Sequence, residues 1–242
     1  MTYGMNTSNN FTFRIPFRFL DFLLFNYILA FSIWFFVYVM WYNFTMIVID
    51  IEASGTNYSK HSIVSLGALD FDNPERRFYM ECKIWPGAHI DPGALAVNGF
   101  TEAEITDAEK VSEGELIRQF LEWSQHMGDR TLAGQNVSFD RDYTKAACER
   151  EGISWDLAYR TIDTHSLAWM HMVKRGLTPP IDQEHRRSAL NLDEVLKYCG
   201  IPSEPEPHNA LTGALCHAEV IARLLYDKKL LPEFEHFSIP WL

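Results

Sequence analysis

The sequence predicts an α/β fold: a mixed β-sheet flanked by helices, with an apolar segment appended at the N-terminus. Three observations carry this prediction. Residues 46–84 hold three runs rich in β-branched residues joined by short connections, the pattern of an antiparallel meander. From residue 112 onward, helical spacing alternates with short apolar strands, which places helices on the faces of one sheet. The apolar excess is concentrated before residue 46 rather than spread along the chain.

The first strand is Met46-Ile-Val-Ile-Asp-Ile-Glu-Ala-Ser-Gly55, a run that reads as buried on both faces. Side chains alternate along a strand, so Asp50 and Glu52 point the same way, roughly 6–7 Å apart. Two buried carboxylates side by side are costly unless a positive charge lies between them, and a hard divalent cation suits oxygen ligands. Ala53-Ser54-Gly55 leaves no bulk beside the pair. The bland alternative is a strand running into an acidic turn. Residues 62–71 form the second strand, Asp72-Asn-Pro74 a turn and residues 77–84 the third strand. A loop follows to residue 93, and residues 94–101 lead into a short acidic helix, Glu102 to Ile105.

Ser112-Glu-Gly-Glu115 has the form of a capping box opening a helix to about Met127, which Gly128 closes. Residues 131–136 are the next strand, 139–151 a helix, 160–163 a short strand and 166–174 a helix. Residues 176–187 read as a polar loop flanked by Lys174, Arg175, Arg186 and Arg187. An amphipathic helix over 188–199 ends at Gly200. Pro202, Pro205 and Pro207 stiffen the loop to His208, and a helix over 209–226 completes the domain.

The chain has 242 residues and a net charge of −11, which argues against broad, sequence-independent duplex binding. It leaves room for an enzyme that grips one strand end through metal ions. Four cysteines lie far apart with no C-x-x-C pair, so reduced core thiols are expected rather than a zinc site or disulfide framework. That composition suits a cytoplasmic protein.

Phe22 to Tyr42 is 21 residues without a formal charge, long enough to span a bilayer. A membrane-anchored chain is therefore the alternative. Against it, Arg14 and Arg18 would leave everything after the segment outside the cytoplasm, and only three residues separate the apolar run from the first strand. The expected organisation is an apolar segment over 1–45, with a transmembrane helix at about 22–42 or translated upstream sequence as its two readings, and a domain over 46–235.

Two further stretches could carry chemistry. Asn136-Val-Ser-Phe-Asp140 follows a strand and opens a helix, which brings Asp140 to the C-terminal edge of the sheet. On its own it is equally an acid favoured by the helix dipole. His208-Asn-Ala-Leu-Thr-Gly-Ala214 opens the last helix, and a loop-borne histidine can serve as general base. On its own it is one of nine histidines.

Together, D-x-E on a first strand, N-x-x-F-D at a strand-to-helix junction and H-x-A-x-x-x-A at the last helix resemble the DEDDh family of 3′-to-5′ exonucleases. That family includes oligoribonuclease, ribonuclease T and the proofreading subunit of bacterial replicative DNA polymerase. Pro92-Gly-Ala-Leu-Ala-Val-Asn-Gly-Phe-Thr, Ile162-Asp-Thr and Leu190-Asn-Leu-Asp-Glu-Val-Leu fall between them in the family's order. The resemblance covers Met46 to about Leu231. It implies an RNase H-like fold and hydrolysis of phosphodiester bonds at single-stranded DNA or RNA 3′ ends with two Mg²⁺ or Mn²⁺ ions. Asp50 would bridge the ions, Glu52 would help hold the first, Asp140 would support the second, and His208 would take the proton from the attacking water. Ile51, Ala53 and Ser54 would line the terminal nucleotide's pocket, with Leu95 to Phe100, including Asn98, against its base.

One position departs from the family's pattern. H-x-A-x-x-D-A supplies a fourth carboxylate, and here that residue is Gly213. His217, one turn on, is a softer and more distant group. The expectation is a metal-dependent exonuclease with impaired turnover. The alternatives are an inactive nucleic-acid-binding module, membrane-tethered or not, and a small-molecule phosphoesterase.

Overall fold

A computed structural model describes residues 45–242. Phe44–Leu242 form one compact unit. The candidate membrane segment over 22–42 lies outside the described residues. Among the described residues no helix is long and apolar enough to cross a membrane.

Five strands make the sheet: β1 (Ile47–Ala53), β2 (Ile63–Asp70), β3 (Arg77–Glu81), β4 (Leu132–Gly134) and β5 (Thr161–Asp163), in the order β3-β2-β1-β4-β5. The first three form the antiparallel meander, while β4 and β5 run parallel to β1. The mixed sheet is thus the one the sequence predicts, with β1 at its centre. The helices are α1 (Pro92–Asn98), α2 (Glu102–Ile105), α3 (Glu113–Ser124), α4 (Ser138–Glu151), α5 (Thr164–Lys174), α6 (Leu192–Cys199) and α7 (Ala210–Tyr226).

The alternation along β1 sorts its side chains between two cores. Ile47, Ile49 and Ile51 pack with Leu116, Phe120, Tyr143 and Ala147 of α3 and α4. Val48 packs on the opposite face with Ala214, Ala218 and Ile221 of α7. Asp50 and Glu52 share the parity of Val48, so they emerge on the α7 face where the apolar packing stops.

Alpha-helix α7 lies unusually close to this end of the sheet. A Cβ placed on Gly67, the β2 partner of Asp50, would overlap the backbone of Ala210 and Leu211. Only glycine admits the helix's first turn at that distance. Further along, Arg223 and Glu219 form a fully buried ion pair at 2.7 Å. Arg223 donates to the carbonyls of Cys199, Phe234, Phe237 and Ser238, and Glu219 accepts from the amides of Leu230 and Leu231. All remaining polar valences are satisfied, which is what makes such a pair tolerable in a core. The tail beyond residue 235 is thereby packed onto α7.

Several local expectations change. Ser112 accepts from Glu115 N, but the Glu115 carboxylate accepts from Gln119 instead of closing a box. The complete capping box is at Thr101 and Glu104. Residues 92–98 are a helix, capped by Asp91. The helix expected from 188 starts at Leu192, because Asn191 caps it. Within the expected polar loop lies a small hairpin, β6 (Ile181–Asp182) with β7 (Arg187–Ser188).

Candidate active site

The C-terminal half of β1 is the floor of the site. Asp50 and Glu52 project from it beside α7, opposite Gly67 and Ser65 in the β2 ladder. Asp140 enters from the first turn of α4, and its Oδ1 accepts from Ile51 N at 2.9 Å. This bond lies between two segments 89 residues apart and locks the third carboxylate against the strand that bears the first two. The structure therefore brings Asp50, Glu52 and Asp140 together.

His208 lies on the loop before α7, half exposed. Its amide donates to Val97 O of α1 at 3.2 Å, and its Nδ1 is 4.0 Å from Glu204 Oε2. Asn209 caps α7 through Leu211 N and Thr212 N. The remaining predicted residues separate into two groups. Ser54 Oγ donates to His89 O at 2.8 Å and accepts from Ser62 N, so it straps the 85–91 loop to the end of β1. Asn98 is buried; its Nδ2 donates to Ala53 O and its Oδ1 accepts from Phe100 N. Ile51 and Ala53 are buried in the strand, Leu95 is half-buried, and the Phe100 ring carries Lys110 Nζ at 4.9 Å from its centroid.

Glu204 is the member that sequence reading misses. It follows Pro202 and precedes Pro205 in sequence, its side chain is buried, and its Oε1 accepts from Asn209 N at 3.3 Å. It acts electrostatically on both Asp50 and Glu52. Only the histidine four residues later hints at it, because a glutamate in a proline-rich loop otherwise reads as solvated.

These carboxylates burden one another. Burial, then Asp140, Glu52 and Glu204, hold the Asp50 carboxyl well above the usual range. Burial and Glu204 push Glu52 up to about 7, against a hydrogen bond from Asn98. Burial raises Asp140 against its backbone hydrogen bonds, with Glu52 and Asp163 adding to the rise. The charged groups acting on Asp50 are all carboxylates. Hard oxygen donors with uncompensated negative charge fit a divalent cation by chemistry. Among the described residues, no three Asp, Glu, His or Cys side chains are grouped as ligands of one ion in the arrangement seen.

Gly213 explains part of that. A Cβ built there would fall on the Asp50 carboxylate, with Cγ only 2.8 Å away. Asp50 thus fills the space left by the missing side chain. His217, the other candidate on this helix, does not face the site. It is buried with Nδ1 at 3.2 Å from Ile49 O, and burial lowers its pKa to about 4.

A pH dependence follows. Carboxylates whose folded pKa is raised stabilise the fold below their unfolded pKa and lose that contribution as pH rises through the folded value. His217, depressed, has the opposite trend, complete by about pH 6.5. Between about pH 6.5 and 8.5 only the carboxylates remain, so the metal-free protein loses about 2 kcal/mol, or roughly 4–8 °C in Tm. Thermal denaturation in EDTA across that window checks this, and Mn²⁺ is expected to reverse the loss. A flat Tm in EDTA would show that the cluster is not strained.

Comparison with known proteins bears on the family and the fold. The profile of the Exonuclease family that includes ribonuclease T matches residues 47–221. The PolC-type DNA polymerase III of Listeria innocua is 27% identical over 191 residues, which is 79% of this chain and 12% of that protein. The chain thus spans about an eighth of the length of such polymerases. Ribonuclease T of Haemophilus influenzae is 25% identical over 60% of this chain and 72% of its own. Among solved structures, the nuclease domain of 3′hExo, a DEDDh family member bound to rAMP, superposes with a TM-score of 0.59 at 15% identity, covering 79% of this chain and 96% of that one. Escherichia coli exonuclease I in complex with a dT13 oligonucleotide gives 0.59 at 18% identity, over 74% of this chain and 41% of that one. These likenesses show the fold, an RNase H-like sheet flanked by helices.

Proposed function

The chain belongs to the Exonuclease family, and on that premise we propose that it is a divalent-metal-dependent 3′-to-5′ exonuclease acting on single-stranded DNA or RNA ends, with turnover held low by Gly213. The observation that carries this reading is the junction of Asp50, Glu52 and Asp140 through the Ile51 amide, with His208 on its loop 4.0 Å from Glu204, which acts on Asp50 and Glu52. Exonuclease I, a relative in fold, has been seen in complex with a dT13 oligonucleotide, which supports a strand end as substrate.

Asp50 and Glu52 would hold the first ion and Asp50 and Asp140 the second, Mg²⁺ or Mn²⁺ in each case. Bound divalent ions stabilise the attacking and leaving oxygens of an in-line displacement. His208 takes the proton from the attacking water, and its half-exposed position lets it pass that proton to solvent. Asn98, fixed to Ala53 O, and the buried Ser54 hold the ends of α1 and β1 in place, and Ile51, Ala53, Leu95 and Phe100 would form the terminal nucleotide's pocket above them. A labelled single strand is expected to shorten from its 3′ end in Mn²⁺ and to remain intact in EDTA.

A second reading, an inactive nucleic-acid-binding module, is favoured by one observation, the loss of the fourth carboxylate at Gly213. Residues 46–235 are the catalytic domain in this proposal, and residues 1–45 an appendage, with membrane attachment through 22–42 as its alternative role. Four free, buried cysteines support a reducing, cytoplasmic setting.

A further inference from the structure

A groove crosses the C-terminal ends of β4 and β5, lined by Gln135, Asn136, Asp163 and His165 and, from the far side, by Arg187 and Ser188 of the β6–β7 hairpin. Its near end adjoins the active site: Asn136 is four residues before Asp140, and Asp163 acts electrostatically on Asp140. Asp163 itself is committed to capping α5, accepting from His165 N at 2.9 Å. The hairpin is pinned over the groove by His165 Nε2 to Ser188 Oγ at 2.8 Å and by Gln135 Nε2 to Leu190 O at 3.1 Å. The groove therefore runs from an acidic end to a cationic one.

The hairpin's tip has an unexpected residue. Arg186 sits at φ 53°, the left-handed region that glycine or asparagine normally fills in a turn. The turn itself is organised by Asp182, which accepts from the amides of Glu184 and His185, pairs with the His185 ring at 2.8 Å and lies 3.5 Å from Arg187 Nε. Asp182 thus offsets part of the local charge. Arg186 has no ion-pair partner among the described residues, and Arg187 keeps 71% of its side chain exposed. A strained backbone that presents an unpaired guanidinium, in a chain of net charge −11, calls for a ligand.

We propose that the β6–β7 hairpin is a backbone clamp, with Arg187 on the groove wall and Arg186 at the adjoining turn binding phosphates of the single strand on the 5′ side of the scissile bond as it lies in this groove. The inference rests on the exonuclease reading and names how the substrate beyond its terminal nucleotide is held. The acidic end would receive the scissile phosphate through its cations, and the arginines take phosphates beyond the third nucleotide from the 3′ end directly. Such contacts are read through the backbone, so they select strand length rather than sequence.

The test measures fluorescence anisotropy of 5′-labelled strands in Ca²⁺, comparing a trinucleotide with a strand of about twelve nucleotides across a salt series. The proteins are the full-length chain, R186G, R187Q and the double variant. The double variant is expected to bind the longer strand about tenfold more weakly. Its slope of log affinity against log salt should fall by about 1.4, from about 0.7 per lost phosphate contact on a single strand. The trinucleotide, too short to reach the hairpin, should show no such change. R186G should also keep or raise the Tm, because glycine relieves the positive φ, which separates lost binding from lost folding. If the wild type trims strands and the double variant keeps its affinity and salt slope, the clamp is wrong and the exonuclease reading stands. If the wild type neither binds nor trims either strand, both fall.

Discussion

Replacing Gly213 with aspartate raises Mn²⁺-dependent release of 3′ nucleotides by about a hundredfold or more. The site as it stands has Asp50, Glu52 and Asp140 with Glu204 beside them, and glycine where the family's pattern has a carboxylate to complete the first ion's ligands. The substitution has a cost that the geometry exposes. Asp50 occupies the space in which the new Cβ must sit, so its carboxylate has to rotate away from α7. Without metal, a further buried carboxylate joins a set that already resists ionisation, and the Gly213→Asp protein is expected to melt below the wild type in EDTA. With millimolar Mn²⁺ the order inverts, because a cation draws Asp50 and the new side chain to a common point. Two measurements check this, single-turnover degradation rates and Tm with and without Mn²⁺. Equal activity in the two proteins would refute the role given to position 213.

The Asp50→Asn variant is expected to lose at least about a thousandfold in Mn²⁺-dependent trimming and, in EDTA at pH 8, to be more stable than the wild type by about 1–3 kcal/mol. Both effects have one source. Asp50 is the carboxylate on which the others act most heavily, and at pH 8 the metal-free fold must hold it against burial and three negative neighbours. An amide keeps the shape and removes the charge. The same change removes the group proposed to bridge the ions, so Mn²⁺ should no longer raise the Tm. A variant less stable than the wild type in EDTA would mean that Asp50 is a structural acid satisfied by its surroundings.

The site was legible where its chemistry lies in local pattern. Alternation along one strand is enough to put Asp50 and Glu52 on one face, and a strand-to-helix junction is enough to bring Asp140 to the sheet's edge. The bond from Ile51 N to Asp140 was not legible, since it depends on how two segments meet. Glu204 escaped for a related reason. Its burial comes from the 202–208 loop folding back onto α1, through His208 N and Val97 O. Nothing in a Pro-Ser-Glu-Pro stretch signals that. The close seat of α7 needs Gly67 and Ala210 in register across the fold, and two-residue strands such as β6 and β7 are too short to show a period. The meander, by contrast, was readable because its strands are long and dense in β-branched residues.

The most direct test of the central claim is the fate of a 5′-labelled single strand incubated with the full-length protein in Mn²⁺ and in EDTA. A slow ladder of products shortened one nucleotide at a time from the 3′ end is expected, present in Mn²⁺, absent in EDTA and faster in the Gly213→Asp protein. A strand left intact by both proteins in Mn²⁺, or cut internally, would contradict it.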